Sequence, residues 1–425
     1  MAARMLRPAS TMVGSGRPAG PERDMTMARS NRGIRLAAVA AATALAVSAC
    51  GNDSGDKKGG TSSGPIKIGV PVPLSGDYAS AGQDIVNGAK LAVNKINGDG
   101  GVLGGRKIEL VPVDDACSAQ VGAQAAQKLI SGKVAAVAGG YCSSASLPEL
   151  SAFHRAGIPF VMDASSNPQL TEQGFAEAIR VIGRDDQQGP FVSKFISGFL
   201  KAGTAAVIHD NTTYAKGLSD ATVKALKSDG VNVVFNNAVS PGQSDYTPVL
   251  TRVRGVNPDV VYYTGYYAEA ALIVKQGKSL GLKTQFIGGD ATNDPTLIKT
   301  AGSAAEGMIV DTAPLAQFLG SEGKRFVEDY QKLAGAKPGP YSVYEYDSVN
   351  VVAKAIEKAG SADPKKITQA LRGISHTGIT GKISFDEKGD RANPVYITLI
   401  VKNGEFTPYK RLDEQGQWVD VPAVA

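Results

Sequence analysis

Apolar and polar positions alternate in blocks along most of the chain, and the block lengths set the elements. Residues 66–72 (IKIGVPV) read as a strand that runs into the Pro/Ser/Gly-rich loop 73–82. Ile85, Ala89, Val93 and Ile96 then recur at helical spacing, and Asn97-Gly98-Asp99-Gly100-Gly101 stops that helix. The pair repeats as strand 107–113 with helix 121–130, and as strand 134–138 with helix 144–156, before a strand at 158–162. Strands and helices taking turns predict a parallel sheet with helices on both faces. After residues 178–182 and a polar stretch, 183–190, a second series begins. It carries apolar runs at 205–208, 231–235, 249–253, 260–264, 286–288 and 307–310, with helical patterns near 216–228 and 268–280. Two such series of similar length predict an α/β protein of two lobes, each with its own sheet. Beyond Ala313-Pro314 come helical patterns at 318–333, 344–359 and 364–371, then strand-like runs at 381–385, 395–401 and 406–409.

The stretch richest in candidate chemistry is 139–166. Gly139-Gly140 ends a strand, and Tyr141-Cys142-Ser143-Ser144 leads into a helix marked by Leu147, Leu150 and Phe153. Hydroxyls and unpaired N–H groups at a helix start suit a carboxylate or phosphate. The next strand stops at Asp163-Ala164-Ser165-Ser166, and in open parallel sheets ligands sit beyond the carboxyl ends of strands. The plainer reading is that these serines are ordinary caps and turn residues. In the second series, tyrosines gather at strand ends: Tyr214, then Tyr262, Tyr263, Tyr266 and Tyr267 around Thr264-Gly265, with Asp290 after Gly288-Gly289. An acid and several aromatics facing two serine clusters describe a pocket for a small zwitterion, its carboxylate on Ser143 and its ammonium on Asp290.

Composition narrows the class. The 425 residues are 43% hydrophobic and 20% charged, as in soluble globular proteins. Residues 36–47 (LAAVAAATALAV) follow Arg29, Arg32 and Arg35 and precede Val47-Ser48-Ala49-Cys50. A stretch of twelve residues, apolar but for Thr43, is too short to span a bilayer but suits a signal-peptide core, and the small residues before Cys50 resemble a bacterial lipobox. Residues 1–49 are therefore expected to be a leader, with Met25 and Met27 as alternative starts, Cys50 the lipid-bearing residue, and 50–64 a flexible tether. The leader holds seven of the 45 Lys/Arg and two of the 40 Asp/Glu, leaving 38 of each, so the basic charge gives no support to nucleic-acid binding. Export also implies that Cys117 and Cys142 pair.

Catalytic and metal signatures are scarce. A G-x-S-x-G match falls only at 60–64, in the tether, and His154, His209 and His376 lack metal-ligand spacing. No G-x-G-x-x-G or phosphate-loop motif opens a helix. Neither cofactor nor metal is expected.

From about residue 66 to 406 the chain resembles the periplasmic leucine/isoleucine/valine-binding proteins of ABC transporters. The likeness rests on PLSGDYASAGQDIVNGAKLAVNKINGDGGVLGGRKIEL, DDAC at 114–117, CSS at 142–144, DDQQGP at 185–190, GLKTQF at 281–286 and FDEKGD at 385–390. It implies a type I two-lobed periplasmic binding fold, a disulfide between Cys117 and Cys142, and three crossings between lobes near Arg184, Ala313 and Thr398. Lobe 1 is then 65–184 with 314–398, and lobe 2 is 185–313 with 399–425. The carboxylate-binding serine falls on Ser143, the carbonyl for the ammonium on Ala164, and the hydroxyl touching both ends of the ligand on Ser166. Ser165 and Cys142 flank these positions. The acidic ammonium partner falls on Asp290, and pocket aromatics on Tyr214, Tyr266 and Tyr341. Departures accompany the match: Ser166 and Asp290 stand where a branched-chain binder has Thr and Glu, Tyr141 occupies an aliphatic position, and Ala81 replaces a pocket tyrosine.

The expected function is an exported, lipid-anchored, monomeric solute-binding protein, not an enzyme. It would capture a neutral, branched-chain or other aliphatic, amino acid and deliver it to an ABC permease, meeting the membrane only through its anchor. Rival readings are a binder of amides, urea or aromatic acids, a sensor feeding a signalling receptor, a hydrolase using Ser143, and a structural surface protein.

Overall fold

The structure is a computed structural model, and it describes residues 64–422. The leader, Cys50 and nearly all of the tether lie outside the described residues.

Among the described residues fifteen strands are numbered in chain order. The first five are β1 (Ile66–Val72), β2 (Ile108–Asp114), β3 (Ala136–Gly139), β4 (Phe160–Met162) and β5 (Ala178–Arg180). They form an all-parallel sheet of order β2-β1-β3-β4-β5, with Ile66 opposite Ile108 and Val72 opposite Asp114. Parallel neighbours need crossovers, and the helices Ala79–Gly98, Ala119–Ser131 and Ser143–Ala156 supply them. Ile68, Val70 and Val72 are wholly buried, as expected of a strand covered on both faces.

The second series gives β6 (Thr204–His209), β7 (Asn232–Ala238), β8 (Val260–Tyr263), β9 (Gln285–Gly288) and β10 (Ile309–Thr312). After them come the hairpin β11 (Ser375–Gly378) and β12 (Gly381–Ser384), then β13 (Ile397–Lys402), β14 (Glu405–Leu412) and β15 (Trp418–Asp420). Strands β6 to β10 are parallel, and β13, β14 and β15 extend the sheet antiparallel from β10. The run at 249–253 belongs to the helix Thr247–Val256.

Between β10 and β13 the chain returns to the first sheet. The helix Ser342–Ala359 packs against helix Ala79–Gly98 and against β3 and β4, with Val343, Val351, Val352 and Ile356 completely buried on more than one side of it. The chain thus passes between the sheets after β5, after β10 and before β13. Thr398 already lies in the second sheet, opposite Asp311. At the first passage a Cβ on Gly183 would meet the Tyr396 hydroxyl at 2.0 Å, so only glycine lets the two connecting segments lie this close.

Candidate functional site

Strand β3 ends in Gly139 (φ 138) and Gly140 (φ 95), backbone angles that favour glycine. Gly140 also sits against the Phe160 ring and the Ser146 hydroxyl, which a Cβ would meet at 2.8 and 2.9 Å. That turn sets Cys142 as N-cap and Ser143 as first residue of the helix Ser143–Ala156. Ser143 is completely buried, and its Oγ accepts the Asn167 N–H at 3.3 Å. Cys142 and Cys117 have Cα atoms 5.2 Å apart, within disulfide reach, and Cys117 is held at positive φ behind Ala116, also at positive φ.

Ala164 and Ser166 are buried beside this helix start, and the Ser166 hydroxyl faces Asp185. Ser165 is committed elsewhere: its hydroxyl donates to Gly140 O at 2.8 Å and lies 2.8 Å from Ser146 Oγ. Underneath, the fully buried Arg180 donates Nη1 to the carbonyls of Ser165 (3.1 Å) and Asn167 (3.0 Å), and pairs with Asp390 at 2.8 Å. Arg180 is therefore a positioning residue for the whole 165–167 segment.

From the second sheet, Asp290 follows β9 and is 4% exposed. Its Oδ1 accepts the Tyr214 hydroxyl at 2.7 Å and Gln188 Nε2 at 3.1 Å, and its Oδ2 accepts the Tyr341 hydroxyl at 3.0 Å. Burial raises the Asp290 carboxyl above its ordinary range, and the three donors hold that rise back. Tyr266 caps the helix Tyr267–Ser279, and its ring lies 5.5 Å from Tyr141 and 5.2 Å from Tyr214. Tyr141 in turn meets Tyr341 edge-on at 5.3 Å. Tyr341, from the element that returns to the first sheet, thus reaches across to an acid of the second.

A family model described as periplasmic binding protein matches residues 65–405. The chain belongs to the periplasmic binding protein family. It is 32% identical over 345 residues to the leucine-, isoleucine-, valine-, threonine- and alanine-binding protein of Pseudomonas aeruginosa, covering 81% of this chain and 89% of that one. Among solved structures, a leucine binding protein from Thermotoga maritima superposes with a TM-score of 0.76 at 32% identity, over 80% of this chain and 97% of that one. An ABC-transporter solute binding protein from Rhodopseudomonas palustris in complex with 3,4-dihydroxybenzoic acid gives a TM-score of 0.72 at 26% identity, over 80% and 95%. The two-lobed type I architecture is that of these neighbours.

In this periplasmic binding protein the structure brings Ser143, Ala164, Ser166, Tyr141, Tyr214, Tyr266, Asp290 and Tyr341 to the junction of the two lobes, while Ala81 lies buried in the helix Ala79–Gly98. Three residues before Ala81 stands Tyr78, which sequence reasoning passed over. Its ring lies tilted against that of Tyr266, centroids 4.7 Å apart, and its hydroxyl donates to Glu269 Oε1 at 3.0 Å. The loop 73–82 lies at a strand's carboxyl end, and that position was the available signal. Gln188 and Asp311 were passed over too: Gln188 Nε2 donates to Asp311 Oδ2 at 2.7 Å as well as to Asp290. Burial pushes both Asp185 and Asp311 up to about 8. Among the described residues no group of His, Cys, Asp and Glu is arranged to hold a metal ion, and no helix is long and apolar enough to cross a membrane. Surface cavities of about 470 and 650 Å³ open around 210–252, with Asp210 in the wall, and around 293–408, and neither is lined by Ser143, Tyr266 or Asp290.

Proposed function

We propose that the protein captures a neutral α-amino acid, of the branched-chain or another aliphatic class, between its lobes and passes it to the permease of an ABC importer. One observation carries this reading. Asp290 is a buried carboxylate held by three neutral donors drawn from both lobes, and among the described residues no Lys or Arg pairs with it. A buried charge of this kind calls for a cation, and a ligand ammonium fits the position. Ser143, opening the helix Ser143–Ala156, offers the complementary place for a carboxylate. The amino acids named for the Pseudomonas relative agree with this chemistry.

A thermal-shift and calorimetric screen against the twenty amino acids, urea, short amides and benzoates tests it. An amino acid should stabilise the protein, and Asp290→Ala should cost about 2–5 kcal/mol of binding, enough to abolish a micromolar signal. Affinity within a few-fold of the parent would refute the assignment. The second reading, an aromatic acid, is favoured by the tyrosine-walled cleft and by the dihydroxybenzoate in the Rhodopseudomonas neighbour. Stabilisation by benzoates alone would select it.

Export, a lipid on Cys50, a Cys117–Cys142 disulfide and a monomeric body complete the proposal, supported by the leader pattern and the 5.2 Å Cα separation. The mass of the membrane-associated protein, before and after reduction, should show a diacylated chain beginning at Cys50 and two thiols released. An unmodified chain retaining residues 1–49 would overturn the anchor.

A further inference from the structure

Past Tyr266 the cleft does not end in apolar side chains. Asp210 follows β6 and Glu269 lies in the first turn of the helix Tyr267–Ser279, and they are 1% and 2% exposed. Asp210 Oδ1 accepts the Thr212 N–H at 2.9 Å, and Glu269 Oε1 accepts from the Tyr78 hydroxyl and the Gly242 N–H, each at 3.0 Å. The second oxygen of each carboxyl makes no hydrogen bond within the described chain, and neither do the buried hydroxyls of Tyr263 and Tyr266.

Two of these groups meet at Gly265. A Cβ on Gly265 would meet Tyr263 Oη at 2.2 Å and Asp210 Oδ2 at 2.7 Å, so both atoms pack against the face that this glycine leaves bare. After burial itself, Asp210 and then Glu269 are the charges that most raise the Tyr263 hydroxyl, and Asp210 is the charge that most raises that of Tyr266. Tyr266 is also the ring against which Tyr78, Tyr141 and Tyr214 pack, so the polar patch continues the amino-acid cleft at its far end.

A buried polar group left without a partner is costly, and the cost rises where the surroundings exclude water. A leucine side chain pressed against this patch would leave two carboxyl oxygens and two phenols unpaired. A terminal group with several N–H donors would pair them.

We propose that Asp210, Tyr263, Tyr266 and Glu269 form a distal subsite for a ligand side chain ending in an N–H donor group, a primary carboxamide or an ammonium. The inference rests on the α-amino-acid reading above and changes its side-chain class from aliphatic to polar.

Calorimetric titration of the whole protein with glutamine, ornithine, leucine and norleucine decides it. Glutamine or ornithine should bind at least about tenfold more tightly than either apolar amino acid, a difference of about 1.4 kcal/mol. A lead for glutamine marks the carboxamide, and a lead for ornithine the ammonium. In Asp210→Asn and in Tyr263→Phe the ratio of polar to apolar affinity should fall severalfold, whereas a merely structural role would weaken all four ligands alike and leave the ratio intact. Leucine or norleucine binding at least as tightly as both polar amino acids overturns the subsite and leaves the amino-acid reading standing. Binding of none of the four, with benzoates stabilising the protein instead, overturns both.

Discussion

Asp311 shows how a single buried acid can tie stability to pH. It sits in β10 with no exposed surface, accepts one Gln188 hydrogen bond, and faces the charge of Asp290. Burial raises it most, Asp290 adds to the rise, and Gln188 opposes it, leaving it at about 8 against an ordinary 3.8. Between those values the folded chain holds a proton that the unfolded chain has released. The stabilisation is therefore complete below about pH 4 and is lost as pH rises through about 8. Asp311→Asn cannot ionise, so its melting temperature relative to the parent should climb steadily from pH 5 to pH 8. Parallel profiles would show that Asp311 titrates normally in the fold. None of this was legible in the sequence, where no local pattern sets Asp311 apart from any other acid. The places of Ser143 and Asp290 at the carboxyl ends of strands were legible, because strand-to-helix junctions in a parallel sheet have a known outward side. Tyr78 was not: its partner Glu269 lies 191 residues away, and no local pattern marks the contact.

At the scale of elements, hydrophobic period located β1 to the residue and the helix Ser143–Ala156 to within one position, because each is covered by neighbours and its apolar spacing reports that cover directly. The short edge strands β11 and β15 went unseen, since three or four half-exposed residues leave too little alternation to read. The helix Thr247–Val256 shows the converse limit. Its buried Val249, Leu250 and Val253 form a short apolar run whose type periodicity alone cannot decide. The FDEKGD segment was legible only as a likeness, and the structure supplies its physical role. Asp386 and Gly389 close a turn that inserts Asp390 between Arg180 (2.8 Å) and Arg184 (2.7 Å). Burial tends to raise Asp390, but Arg180, Arg184 and Thr171 together hold it below its ordinary range. The late part of the chain thereby fixes a segment that begins some 220 residues earlier, and through Arg180 it reaches the backbone around Ser166.

At the scale of the molecule, the lobes meet through hydrogen bonds that no single lobe contains. Asn167 Nδ2 donates to Thr213 O at 2.7 Å, and the Thr213 N–H donates to Ser144 Oγ at 3.2 Å. The Tyr267 hydroxyl donates to Asp77 O at 2.7 Å, and Tyr78 reaches Glu269. Each such bond is worth about 1 kcal/mol net, too little in sum to hold closed a cleft that also buries Asp290 without a cation. Closure should therefore wait for the ligand, which can shift the balance only by its preference for the closed form. Small-angle scattering with and without the amino acid found in the screen should show a smaller radius of gyration on saturation. Tyr78→Phe removes one bond made only on closing, so its apparent affinity should fall about fivefold while the saturated profile stays that of the parent. An unchanged affinity would mean that the closed form already predominates without ligand, and identical profiles with and without ligand would mean that the lobes do not move at all.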